Sequence, residues 1–181
     1  PPGTGKTSKA LRRMVESFYE KPNMQILLLA YTNRAGDEIC SSLSAITPEV
    51  NYIRIGSELS CDERFRGHLL ENALASCHNR KEGRQCLSEC RVYVGTVASI
   101  SAKPELFKLK RFDIAIIDEA TQILEPQLLW LLMAKSPDGR NSVGKFVLIG
   151  DHKQLPAVVL QSKEDSEVHD EDLRNIGLCN L

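Results

Sequence analysis

The sequence predicts an α/β fold in which a parallel sheet is covered by helices on both faces. Apolar runs of strand length recur, with Met24 to Ala30 (MQILLLA) and Phe112 to Asp118 (FDIAIID) nearly continuous, the form taken by strands buried on both sides. Stretches with apolar residues at helical spacing separate them. Polar residues able to do chemistry collect where the runs end, as functional residues do at the carboxyl ends of parallel strands.

Taken in order, PPGTGKT (Pro1 to Thr7) has the makeup of a phosphate-binding loop. Gly3 and Gly5 lack a Cβ, so the backbone can curl with its N–H groups turned toward phosphate oxygens, and the following helix adds its positive end. Pro2, Gly3, Thr4, Gly5, Lys6 and Thr7 are therefore expected to bind nucleotide, Lys6 reaching the β/γ-phosphates and the Thr7 hydroxyl ligating Mg²⁺. The full G-x-x-x-x-G-K-[ST] pattern needs a glycine just before Pro1, so truncation is expected there, with loss of the strand that leads into such a loop. A lone glycine-rich match is weak, but here an amphipathic helix follows, with Ala10, Leu11, Met14, Val15 and Phe18 on one face.

The first buried strand ends at Tyr31-Thr32-Asn33, and the next helix carries Ala35, Ile39, Leu43 and Ile46 before Thr47-Pro48 stops it. Asn51 to Ile55 alternates like a short strand. From Ser57 to Glu89 the chain turns polar, with weak helical periodicity around Phe65 to Leu74, and reads as a helical, partly mobile insertion at about 57–90. Arg91 to Gly95 (RVYVG) is another strand, followed by Thr96. The basic segment Lys103 to Arg111 suits a solvated face as well as a phosphate contact. After Phe112 to Asp118, the run Ile123 to Met133 reads as a helix with Pro126 in its first turn, where a missing N–H costs little. Ser136 to Gly144 reads as a loop, Lys145 to Gly150 as the last strand, and Lys163 to Asp172 as a flexible acidic excursion.

With 181 residues and a net charge of −1, the chain can bury a full core as one domain with an insertion, and any nucleic-acid surface must be local. No apolar run approaches the roughly 20 residues of a membrane span, so the default is a soluble, cytoplasmic protein without a membrane partner, nuclear if its source is eukaryotic. Of the six cysteines, Cys77, Cys86 and Cys90 lie near His78, but C-H-x7-C-x3-C matches no common zinc spacing, and reduced thiols are the expected state.

The chemistry reads from two further segments. Asp118, at the end of a buried strand, is placed to hold Mg²⁺ opposite Thr7, and Glu119 to orient or deprotonate an attacking water. In isolation the two acids could be solvated charges at a sheet end; the upstream phosphate loop favours the functional reading. A strand ending in Gly150-Asp151 and followed by His152-Lys153-Gln154 puts an uncharged hydrogen-bonding side chain, Gln154, where it can sense a γ-phosphate. A simple strand-exit loop is the plainer alternative.

These residues resemble superfamily 1 helicases, in the group that contains the nonsense-mediated-decay RNA helicase and the Okazaki-fragment nuclease-helicase. PPGTGKT looks like that family's motif I, YTNRAGDEI (Tyr31 to Ile39) its motif Ia, VGTVAS (Val94 to Ser99) its motif Ic, IDEATQILEP (Ile117 to Pro126) its motif II and GDHKQLPAVV (Gly150 to Val159) its motif III. The motifs fall in the family's order over nearly the whole chain. The resemblance implies a RecA-like P-loop NTPase fold, truncated at both ends, forming the first RecA-like domain of a monomeric ATP- and Mg²⁺-dependent helicase or translocase that moves 5′ to 3′ on single-stranded DNA or RNA. By similarity, Gln122 and Gln154 belong to the nucleotide site, with Gln154 linking γ-phosphate to nucleic acid, and Thr32, Asn33 and Thr96 contact the backbone of a single strand. Small polar groups at strand ends suit such sequence-independent contacts. The second RecA-like domain and its transition-state arginine lie outside these residues, so the fragment is expected to bind nucleotide and turn it over poorly. A nucleic-acid-binding protein that uses ATP as a switch without unwinding is the alternative, as is a helicase fused to an effector domain.

Overall fold

The computed structural model describes residues 6–151, 157–158 and 162–176. A π-helical turn, Lys6–Leu11, runs into α1 (Arg12–Tyr19). The core then alternates: β1 (Ile26–Ala30), α2 (Asn33–Ser44), β2 (Tyr52–Ile55), the insertion, β3 (Val92–Thr96), α5 (Val97–Ser101), α6 (Leu106–Leu109), β4 (Phe112–Ile117), α7 (Glu125–Met133) and β5 (Val143–Leu148). The insertion holds two 3₁₀ segments, Glu58–Ser60 and Glu63–His68, and the helices α3 (Leu70–Ala75) and α4 (Arg80–Glu89). It is helical, as its periodicity suggested.

Among the described residues the sheet has five strands, all parallel, in the order β2-β3-β1-β4-β5. The pleat splits β1 between two cores. Ile26 and Leu28 face Leu11 of the π-helical turn, Val15 of α1, and Ile39 and Leu43 of α2, while Leu27 and Leu29 face Val97, Ile100, Phe107 and Leu131 of α5 to α7. Each fully buried Leu contributes about 1.5–3 kcal/mol, which explains why an uninterrupted ILLLA run belongs at the centre of the sheet.

The structure adds detail to the sequence reading at three places. Cys61, Phe65 and Leu69 of the insertion join the core beside β2. The last strand starts at Val143 rather than Lys145, because Val143 pairs with Phe112 and Gly144 lies against the Asp113 carbonyl, where a Cβ would come within 2.9 Å. The acidic stretch expected to be a flexible excursion carries two short helices, α8 (Lys163–Ser166) and α9 (Glu171–Asn175), capped by Ser162 and Asp170. Among the described residues, no helix is long and apolar enough to cross a membrane.

Candidate nucleotide and nucleic-acid site

The candidate site lies along the carboxyl edge of the sheet. Lys6 and Thr7 begin the first helix. Pro2, Gly3, Thr4, Gly5 and Gln154 lie outside the described residues.

β4 ends at Ile117 and delivers Asp118, which is buried, to the sheet edge. The Asp118 amide donates to the Leu29 carbonyl of β1 at 2.8 Å, and Asp118 Oδ1 accepts the Glu119 amide at 3.0 Å. Glu119 adopts a left-handed backbone (φ 54, ψ 34), costly for a residue with a Cβ and common where a side chain is aimed for function. The turn Ala120–Gln122 follows, closed by the Gln122 amide on the Glu119 carbonyl at 2.9 Å.

The segment leaving β5 is tied to that turn. The Ala120 amide donates to the Ile149 carbonyl at 2.9 Å, and the Asp151 amide to Thr121 Oγ1 at 3.4 Å. Gly150 permits the approach: a Cβ there would stand 2.8 Å from Thr121 Cγ2 and 3.2 Å from the Thr121 amide nitrogen. The segments around Glu119 and Asp151 are thus joined by two hydrogen bonds and a close backbone approach.

On the other side of β1, Thr32 and Thr96 have matching jobs. Ala30 and Thr96 are opposite each other in the ladder, so both segments leave the sheet at the same level. Thr32 caps α2, its Oγ1 accepting the Ala35 amide at 3.1 Å. Thr96 caps α5, accepting the Ser99 amide at 3.0 Å, while Ser99 Oγ accepts the Thr96 amide at 2.9 Å. Each threonine spends an acceptor lone pair on the helix and keeps the chemistry of a hydroxyl donor suited to a phosphate oxygen. Asn33 opens α2 and is exposed. Asn33 and Thr96 line one groove of about 680 Å³, whose far wall is the insertion. A cleft of about 230 Å³ adjoins it at Ala98, flanked by Tyr31 and Trp130, aromatic faces of the kind on which bases stack.

What sequence reasoning missed lies underneath. Arg54 of β2 is 1% exposed, and its guanidinium sits below the first turn of α2. Nη2 lies 2.9 Å from Asp37 Oδ1 and donates to the Asn33 carbonyl at 3.3 Å; a Cβ at position 36 would come within 2.7 Å of Nη1, which accounts for Gly36. Asp37 also accepts the Asp62 amide of the insertion at 3.3 Å. Burial pushes the Cys40 thiol up to about 11 and also raises Cys61, so both stay protonated despite the nearby guanidinium, and Asp37 supplies the countercharge. The signal available in the sequence was an arginine inside a short apolar strand.

The basic segment splits. Lys103 borders the groove. Lys110 is turned inward, donating to the carbonyls of Cys90 and Ser88, and Arg111 donates to the Asn141 carbonyl at 3.0 Å. Cys90 packs into the core against the Val92 carbonyl, and among the described residues no group of His, Cys, Asp or Glu is arranged to hold a metal ion.

Residues 70–162 match the model of a family described as AAA domain. Among curated proteins, the chain is 34% identical over 166 residues to the DNA replication ATP-dependent helicase/nuclease JHS1 of Arabidopsis thaliana, covering 92% of this chain and 11% of that protein. It is 30% identical over 165 residues to the DNA replication ATP-dependent helicase/nuclease DNA2 of Gallus gallus (90% and 15%), and 25% identical over 218 residues to the DNA polymerase alpha-associated DNA helicase A of Saccharomyces cerevisiae (93% and 31%). The chain thus spans a third or less of the length of these relatives. Its fold is similar to that of the Pyrococcus furiosus Hef helicase domain, with a TM-score of 0.51 at 14% identity over 82% of this chain and 26% of that one.

Proposed function

The chain belongs to the AAA domain family, in its superfamily 1 helicase branch, and from that premise we propose that it is the first RecA-like ATPase domain of a helicase that couples ATP hydrolysis to movement on single-stranded DNA. The observation that carries the reading is the 2.8 Å hydrogen bond from the Asp118 amide to the Leu29 carbonyl. It sets the loop bearing Glu119 beside the strand whose exit forms Thr32 and Asn33, with Thr96 level with it on β3. In this reading the hydrolytic and strand-binding groups share one edge of the sheet, as a motor requires.

In this reading Pro2 to Thr7 cradle the phosphates, with Lys6 on the β/γ-phosphates. Asp118 and Thr7 would hold Mg²⁺, since a buried carboxylate and a hydroxyl make the hard oxygen set that the ion prefers, and the bound ion would neutralise phosphate charge. Glu119 orients the attacking water and takes its proton. Gln122 and Gln154 complete the nucleotide site, Gln154 carrying the state of the γ-phosphate toward Thr32, Asn33 and Thr96, which grip the sugar-phosphate backbone. The bond between Ala120 and Ile149 supports that route, because it ties the Glu119 loop to the segment leading to Gln154. DNA rather than RNA is favoured by the names of the relatives, which also suit a nuclear location in a eukaryote; a monomer moving 5′ to 3′ is what the resemblance to superfamily 1 helicases implies.

The test is steady-state ATP hydrolysis by the full-length protein with and without single-stranded DNA or RNA, with Glu119→Gln as the blank. Stimulation by DNA supports the reading, stimulation by RNA alone changes the track, and a flat response with intact ATP binding replaces the motor with an ATP-switched binding protein.

A further inference from the structure

The groove that joins Asn33 and Thr96 to the insertion has a charge pattern at odds with an anionic occupant. Its lining includes one cation, Lys103, and two carboxylates, Glu58 and Glu71. Both acids are paired: Glu58 lies 3.9 Å from Arg66 within the insertion, and Glu71 Oε1 lies 3.6 Å from Lys103 Nζ across the groove. The Lys103 backbone is held at the end of α5, its amide donating to the Ile100 carbonyl at 2.9 Å, and α5 itself starts at Thr96. Glu71 stands in the first turn of α3, on the opposite wall. Both side chains are substantially exposed, so their bond is cheap to break.

Resting on the helicase reading above, we propose that Glu71 is a built-in competitor for the nucleic acid: its carboxylate occupies Lys103 in the empty groove, and a backbone phosphate held by Thr96 displaces it to take the ammonium. The exchange lowers affinity in two ways, by requiring the Lys103–Glu71 pair to open and by leaving an unpaired carboxylate near the phosphates. A protein that advances along a strand must release each phosphate it holds, and an acid able to reclaim the lysine supplies that release. Lys103 is thereby assigned as a phosphate contact and the insertion as a regulatory wall.

The test is binding of fluorescein-labelled oligo(dT) and oligo(U) to the full-length protein across a salt series, with a Lys103/Glu71 double-mutant cycle. Lys103→Gln is expected to weaken binding and to reduce the slope of log affinity against log salt by about 0.7, the loss of one single-strand phosphate contact. Glu71→Gln is expected to tighten binding about two- to fivefold, the range of an exposed ion pair, and to slow dissociation; that gain disappears in the Lys103→Gln background. If Thr96→Val weakens binding while Glu71→Gln changes neither affinity nor dissociation rate, the competitor role falls and the pair is only a brace between insertion and core. If the parent protein binds neither oligonucleotide, the helicase reading falls first and the exchange with it.

Discussion

Arg54 and Asp37 form an ion pair, Nη2 to Oδ1 at 2.9 Å, that joins β2, α2 and the insertion under the residues expected to grip the nucleic acid. Its geometry is specific: Arg54 also reaches the Asn33 carbonyl, and Asp37 the Asp62 amide. Removing one partner strands the other. Asp37→Ala is expected to cost on the order of 2–3 kcal/mol in urea unfolding, below the ~3–5 kcal/mol for a fully buried pair because the Asp37 side chain is 20% exposed. Arg54→Met, which leaves no buried cation, should cost less. A loss within about 0.5 kcal/mol for Asp37→Ala, the range of an ordinary surface change, would contradict the pairing.

Gly150→Ala tests the coupling of the Glu119 turn to the segment that leaves β5. The new Cβ would meet the Thr121 backbone nitrogen at 3.2 Å, a neighbour that cannot rotate away, so one loop must shift. Displacements of this kind cost roughly 10- to 100-fold in turnover, whereas overpacking at one site costs only about 1–3 kcal/mol of stability. ATPase rate and thermal melting measured on the same sample separate the effects; an unchanged rate would mean that the contact is structural only.

Glu119→Gln should leave nucleotide binding nearly intact and abolish turnover, while Lys6→Ala should weaken binding itself. Titration with a fluorescent ATP analogue beside a phosphate-release assay distinguishes the two. Normal turnover in Glu119→Gln would remove Glu119 from its assigned role.

Thr96 has a structural and a binding share, and conservative variants divide them. Thr96→Val loses both the α5 cap, worth about 1 kcal/mol, and the hydroxyl donor; Thr96→Ser keeps both. Oligonucleotide affinity should fall in the first variant and recover in the second.

Lys110 gives a pH signature. Burial lowers its ammonium from the ordinary 10.5 to about 8. Between those values the unfolded chain binds the extra proton, so this residue destabilises the fold at and below pH 8, and its penalty is relieved as pH rises toward 10.5. The raised Cys90 thiol, which stays protonated in the fold, acts in the opposite direction above pH 9. Comparing the parent with Lys110→Met isolates the lysine: the parent should gain stability relative to the variant from pH 8 to 10 in urea melts. A parallel response would refute the buried ammonium.

The sequence made the sheet legible where one signal dominated. Apolar runs located β1 and β4, and helical spacing at Ala35, Ile39 and Leu43 located α2. Motif order placed Asp118, Glu119, Thr32 and Thr96 at strand exits, where the fold has them. Pairwise contacts between distant segments were not legible. Arg54 is buried only because Asp37 and the Asn33 carbonyl come to it, and Lys110 turns inward only because the carbonyls around Cys90 receive it. Phe65 and Leu69 join the core for a similar reason, since a weakly periodic stretch gives no sign of which sheet face it will cover.

The central strand β1, buried along its entire length, has the Asp118 loop bonded to one side and Thr96 level with it on the other. On the proposed motor reading, lesions in Ile26–Ala30 are expected to behave as nulls in genetics, removing ATP use and strand holding together. Separation-of-function alleles should come from residues at the strand exits, with Thr32 and Thr96 yielding proteins that bind ATP but lose their grip, and Glu119 yielding proteins that grip and stall.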